Sequence, residues 1–297
     1  MKTKPTLRFG NANAKLKQLA KNYDVIVKTF SLPSGHSCPG AMDCLSKANR
    51  NTGKITDGPD TEFRCFQASA EALYPSLRKM VWHNFELIKT EMTSAWRYNK
   101  DKVKTVADLI SNSLPKKFDV MRVHVGGDFF SQVYFDAWME VARRNPDKLF
   151  YSYTKSLNLW VNRLTFIPVN FSLTASRGGK HDWLITEHGL KCAEVVFAEE
   201  QADAQQLEID HDDSHAAYGT ESFALLLHGT QPKGSAAAEA LREIKRRERV
   251  DKLRADRNLA PLQKANKEED PFLYEGSLGE GICSAIVPVN RKTINNK

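Results

Sequence analysis

The chain has 297 residues, 41% of them hydrophobic and 27% charged, with a net charge of +7 and a pI near 9.0. This is the composition of an ordinary globular chain, large enough to bury its core as one large domain or two modest ones. It excludes a disordered polymer and a disulfide scaffold. No run approaches the roughly eighteen apolar residues of a membrane span. The basic N-terminus (Lys2, Lys4, Arg8, Lys15, Lys17) has no apolar stretch behind it, so no secretory signal and a cytoplasmic location are expected. The basic balance permits a small anionic molecule or nucleic acid as partner and says nothing of oligomeric state.

In chain order, Asp24–Phe30 (DVIVKTF) reads as a short strand ending in the loop Ser31-Leu32-Pro33-Ser34-Gly35. From Phe66 to Trp96 apolar residues recur at helical spacing, with a break at Pro75. A second helix is predicted over Lys102–Leu114, stopped by Pro115. Phe118–Val125 (FDVMRVHV) is a buried-strand run closed by Gly126-Gly127, and Ser131–Arg143 reads as a helix with Phe135, Trp138, Met139 and Ala142 on one face. Strands follow at Leu149–Thr154, Val169–Thr174, Cys192–Phe197 and Phe223–Leu227, with a short helix at Leu157–Leu164. Strands separated by crossover-length segments predict an α/β fold on a parallel sheet, either doubly wound or rolled into a full or partial TIM-like (βα) barrel; the barrel is the expectation adopted. Ala236–Ala260 is a charged helix with eight Lys/Arg against five Asp/Glu, which reads as a solvated face laced with ion pairs or a face turned to nucleic acid. The expected organisation is a core over 1–235 and a helical appendage over 236–297.

Parallel α/β sheets bind ligands at the carboxyl ends of their strands, and here those ends are rich in small, polar and ionisable residues. After the first strand stand Cys38 and Cys44, with Cys65 just before the next helix. Five cysteines, an odd number with three of them inside twenty-eight residues, point to metal or redox chemistry rather than cross-linking. Three thiolates suit an iron–sulfur cluster with one iron left open, whereas structural zinc needs a fourth ligand from His36 or Cys283. Cys192 opens a strand and reads as packing. Gly126-Gly127-Asp128 lets the backbone approach a bound group, with Asp128 or Ser131 as the alternative helix cap. Lys155 is placed to meet an anion, and Ser176 leads into Arg177-Gly178-Gly179-Lys180, which has the look of an anion-binding nest. Asp210-His211-Asp212-Asp213 reads as an exposed loop, with a hard-metal or acid/base cluster as the sharper reading. His124 is expected in the core, and His228 on the shared face.

The motifs Ser37-Cys38-Pro39-Gly40-Ala41 with Cys44, Arg64-Cys65-Phe66, Val125-Gly126-Gly127-Asp128-Phe129-Phe130-Ser131, Tyr153-Thr154-Lys155-Ser156 and Leu227-His228-Gly229-Thr230-Gln231-Pro232 together resemble the bacteriophage family known as gene product 88. That resemblance implies a viral protein working in the host cytoplasm. A more distant likeness is to radical SAM enzymes, which place three cysteines after the first strand of a partial barrel and a glycine-rich acidic motif after the second. It implies a [4Fe–4S] cluster on Cys38, Cys44 and Cys65, with S-adenosylmethionine near Gly126, Gly127, Asp128 and Ser176. Substrate groups would then be Asp128, Lys155 and His228, acting on a nucleotide or nucleic acid. The spacing here is Cys-x5-Cys-x20-Cys instead of a compact Cys-x3-Cys-x2-Cys, a change that costs little loop entropy. If Cys283 closes the fourth iron, the cluster serves a binding or regulatory protein instead. A third reading is a hydrolase of nucleic acid using Asp128, His211 and Asp213.

Overall fold

The computed structural model describes residues 5–92 and 98–260. Its elements begin with β1 (Gly10–Asn11) and α1 (Ala14–Tyr23). Asn13 caps α1 by accepting from the Leu16 amide, and Asp24 ends it in the left-handed region. β2 (Val27–Thr29) follows, then the two-stranded hairpin of β3 (Ser46–Ala48) and β4 (Ile55–Asp57). The long helical stretch is two helices, α2 (Phe66–Leu73) and α3 (Pro75–Met92), divided where Pro75 was expected to break it. α4 (Lys100–Ser113) stops before Pro115.

β5 (Val120–Arg122), α5 (Gln132–Arg144), β6 (Leu149–Thr154), α6 (Leu157–Val161), β7 (Phe171–Ser176), α7 (Trp183–His188), β8 (Cys192–Val196), α8 (Glu199–Ala204), α9 (Ser214–Ala217) and β9 (Phe223–Leu226) complete the alternation, and α10 (Ala236–Ala255) follows. Ser131, one of the two cap candidates, caps α5 by accepting from the Tyr134 amide at 3.3 Å. The strand expected to reach Val125 ends at Arg122, because His124 and Gly127 both take positive φ and turn the chain out of the ladder. The helix expected to run to Leu164 stops at Val161, and the charged helix stops at Ala255.

The fold is mixed α/β, built on a seven-stranded sheet in the order β1-β2-β5-β6-β7-β8-β9. Only β1 is antiparallel; every other neighbouring pair runs parallel, and β1 and β9 stand at the two edges. Alternation along the strands divides the core between two faces. Met121, Phe150, Phe171, Leu173 and Cys192 face the main core, where Trp138, Phe135 and Val141 of α5 and Ile110 of α4 meet them. Cys192 is therefore packing, as its strand context predicted. Val27, Val120, Tyr151, Ala193 and Phe223 face the other way, onto Leu16 and Leu19 of α1 and Ala216 and Ala217 of α9.

One compact unit extends to Glu248, inside α10. Ala237 and Leu241 pack against Leu227 at the end of β9, so the opening turns of the charged helix belong with the core. Among the described residues no helix is long and apolar enough to cross a membrane.

Candidate functional site

Because β2, β5, β6, β7, β8 and β9 run parallel in the large sheet, the loops after β2, β5, β6, β7 and β9 emerge at the same end of it. The cysteine loop is bound into that end by its backbone. Lys180 N donates to Gly40 O (2.9 Å), Asp43 N donates to Gly178 O (3.1 Å), and Ala41 bridges Gly179. A Cβ at Gly40 would stand 2.2 Å from the Lys155 carbonyl oxygen, so the loop lies directly on the end of β6. At Gly127, φ is +82° and a Cβ would meet Ser37 Oγ and Leu32 Cβ at 2.6 Å, a conformation and a fit that only glycine allows. Gln67 of α2 lies across Gly126, which covers that glycine with protein. Gly40→Ala is expected to push the cysteine loop off β6 and cost about 1–3 kcal/mol of overpacking, read as a lower urea midpoint.

The structure brings Cys38, Cys44 and Cys65 together. All are free thiols and half-buried. Burial pushes Cys38 well above the ordinary thiol value, helped by the charges of Asp128, Cys65 and Cys44, against the Gly35 amide, which donates to its Sγ at 3.3 Å. Burial likewise raises Cys44, with Lys155 opposing. Cys65 is pushed up to about 12 by burial and the Cys44 charge, while the Ala68 and Gln67 amides at the start of α2 act the other way. The thiols are thus partly exposed yet strongly desolvated by the surrounding protein. His36, the alternative ligand, has its Nε2 donating to Ala48 O (3.2 Å) and its ring 4.8 Å from that of Trp82. Cys283 lies outside the described residues.

Asp128 is buried and fully engaged. Its Oδ1 accepts from the Phe129 amide and Thr154 Oγ1, both at 2.7 Å, and its Oδ2 accepts from the Lys155 amide at 2.8 Å. Burial nonetheless raises it to about 6. Lys155 is buried as well, its ammonium donating to the carbonyls of Ser176 (3.0 Å) and Arg177. These two residues therefore stitch the ends of β5, β6 and β7 together beside the thiols. Glu71 of α2, which the sequence reading passed over, is fully buried and accepts from the Ser34 amide and hydroxyl at 2.8 and 2.9 Å. Burial raises it to about 7 against those hydrogen bonds. Above an unfolded-state value of about 4.3 the unfolded chain releases a proton that folded Glu71 keeps, so this group's contribution weakens as pH rises to about 7. Glu71→Gln is expected to flatten the fall in urea midpoint between about pH 4.5 and 7.5.

The Asp210–Asp213 run is not an exposed loop, which corrects the expectation for it. Asp210, Asp212 and Asp213 are buried and only His211 is exposed. Asp210 Oδ1 accepts from the Asp212 and Asp213 amides at 3.0 and 2.8 Å, an Asx turn that seats α9. Asp213 is the hub of an ionic cluster on the α1 side of the sheet: Arg122 Nη1 at 2.5 Å, Lys15 Nζ at 2.9 Å, Tyr151 Oη at 2.9 Å and Tyr153 Oη at 3.3 Å. Burial alone would raise Asp213, but Arg122 and Lys15 outweigh it and hold the carboxyl below the usual aspartate value. The legible signal was Arg122, a charge inside an otherwise apolar strand. His228 is exposed just past β9, feels Lys15, Arg122 and Asp213, and sets its ring 4.9 Å from Phe66, next to Cys65. Protein around it still lowers its pKa by desolvation. His124 shares a 2.8 Å hydrogen bond with Tyr134 in the core, where burial lowers it to about 3.

A profile of the family described as Gene product 88 matches residues 5–252, most of the chain. The protein belongs to the Gene product 88 family. The matched span includes Cys38, Cys44, Cys65, Asp128, Lys155, Ser176 and His228. Among its relatives, the Gene 88 protein of Mycobacterium phage L5 is 31% identical over 155 residues, and that of Mycobacterium phage D29 is 27% identical over 155 residues. Each alignment covers 50% of this chain and 57% of the phage protein, so the chain spans little more than half the length of these curated relatives. No solved structure matches this family member.

Proposed function

We propose that this bacteriophage protein carries a [4Fe–4S] cluster on Cys38, Cys44 and Cys65 at the carboxyl end of a partial (βα) barrel. The observation that supports it is the gathering of three free, half-exposed thiols on the loop face where parallel sheets place ligands. The sequential strand order supports the barrel reading. The donor set fits the group. Among the described residues no three His, Cys, Asp or Glu side chains are arranged to hold a single metal ion. Thiolates are the donors by which proteins hold an iron–sulfur cluster, so the chemistry of the three cysteines suits the group.

When bound, the cluster supplies one-electron chemistry, and an iron without a protein ligand accepts a small ligand such as S-adenosylmethionine. Around it, the chain's own residues do the positioning. Asp128 fixes the Phe129 and Lys155 amides and thereby the loops after β5 and β6. Lys155 ties in β7 through Ser176 and Arg177, and its charge acts on Cys44. His228, exposed beside Phe66, offers an imidazole to a substrate of the nucleotide or nucleic-acid class. Anaerobic purification and reconstitution, with iron and sulfide quantitation and EPR of the reduced protein with and without S-adenosylmethionine, tests this reading. About four irons and four sulfides per chain, as a [4Fe–4S] cluster requires, with a signal that shifts on adding S-adenosylmethionine, is the expected result. A signal indifferent to it makes the cluster one that serves binding or regulation, and no bound iron overturns the reading.

A further inference from the structure

Beyond β9 the chain builds a second feature that uses none of the cysteines. A cavity of about 240 Å³ opens at the start of α10, lined by Gly229, Thr230, Gln231, Lys233, Arg242 and Lys245 over a floor that includes Leu241. Three of its walls are cationic and none is a carboxylate. The acidic group near it, Glu239, reaches Arg242 at 3.6 Å with both side chains about two-thirds exposed, so water screens that pair. Arg242 and Lys245 are three residues apart and so share a helix face. Ala237 and Leu241 anchor that part of the helix against Leu227.

The opposing loop is already set. Gly229 takes φ of +87°. Gln231 accepts from the Arg64 amide at 2.7 Å and donates to the carbonyls of His228 (3.2 Å) and Arg64 (3.3 Å). A ligand entering this cavity therefore orders little that is not ordered beforehand, which favours affinity. The cavity, of about 240 Å³ and open to solvent, admits a phosphate with an adjoining sugar.

We infer that this cavity is a phosphate subsite, binding the phosphoester of a sugar phosphate through Lys233, Arg242 and Lys245. The inference stands without the cluster, and Gly229 directly adjoins His228, which connects the cavity to the cysteine face. The phosphoester comes from one of two sources, a mononucleotide-sized ester or the backbone of a nucleic acid.

Calorimetric titration of the full chain at low salt with ribose 5-phosphate, ribose and a single-stranded DNA 8-mer tests it. Ribose 5-phosphate should bind and ribose should not. The double substitution Arg242→Gln, Lys245→Gln should weaken binding about tenfold or more, the scale of losing charge-assisted hydrogen bonds. Lys79→Gln, on the exposed face of α3, should change nothing. Competition by the 8-mer, with the same loss in the double variant and a steep salt dependence, assigns the nucleic-acid backbone; ribose 5-phosphate binding without competition assigns the small ester. Equal heats for ribose and its phosphate, an unaffected double variant, or an equal loss in Lys79→Gln would each overturn the inference. Coincident thermal melts of the variants exclude misfolding as the cause.

Discussion

Replacing Cys38, Cys44 and Cys65 together by alanine should abolish iron and sulfide uptake, from about four of each per chain to none, while far-UV circular dichroism stays that of the wild type. The thiols are half-buried and donate nothing that the fold depends on. The loop that carries Cys38 and Cys44 is held by backbone hydrogen bonds to Gly178 and by the Lys180 amide on Gly40, and Cys65 sits at the start of α2 with its own amide donating to Ser46 Oγ at 3.2 Å. Cys192→Ala is the matching control. Its side chain lies in the main core, so it should cost stability and leave iron content unchanged. Iron retained at wild-type level in the triple variant would remove these residues as ligands. A protein that loses its secondary structure with the thiols would show the loop to be part of the fold's support, and single substitutions scored by iron content then carry the test.

Asp213→Asn should be the most destabilising single substitution at any charged site, by about 3–5 kcal/mol in urea denaturation at neutral pH, because it leaves the buried Arg122 guanidinium uncompensated. Asparagine tolerates the left-handed backbone that position 213 adopts, φ 69°, so the measurement isolates charge from strain. Adding Arg122→Met should restore part of the loss, since removing both partners avoids the orphaned charge. The pH dependence has the opposite sign to that of Glu71. Asp213 is held below its unfolded value of about 3.9, so its contribution is complete above that pH and disappears as pH falls through the folded value. A double variant no more stable than Asp213→Asn would mean that Arg122 keeps other partners of equal worth. Tyr153 is the visible candidate, its ring 5.0 Å from the guanidinium.

The two clusters divide the molecule in a simple way. The thiols, Asp128 and Lys155 occupy the strand ends, where loops converge and solvent reaches in. Asp213, Arg122 and the two tyrosines lie just inside, on the side of the sheet covered by α1 and α9. His228 feels both Arg122 and Asp213 and touches the residue after Cys65, so it stands where the two regions meet.

The sequence by itself determined the repeating strand–helix order and the parallel sheet, since those follow from apolar periodicity and from segments long enough for crossovers. It also determined that the ionisable residues follow the strands, with Cys38, Cys44 and Cys65 among them. Local signals set the Pro75 break and the Ser131 cap, because each acts on neighbours along the chain. It did not reveal α1, although Asn13 and the Leu16–Leu19 pair mark it, because only two apolar positions show and their partners are on strands far away. The end of β5 at Arg122 follows from positive φ at His124, and the end of α6 at Val161 from packing; neither is written in composition. Only the tertiary structure decided that Asp210–Asp213 is buried: in sequence it is a polar run, and its solvent is replaced by Arg122, Lys15, Tyr151 and Tyr153 from elements up to about two hundred residues distant. The same holds for Glu71 and for the cavity beside α10. A buried charge is tolerated only where its partners converge, and convergence of distant segments is a property of the folded chain that no local pattern carries.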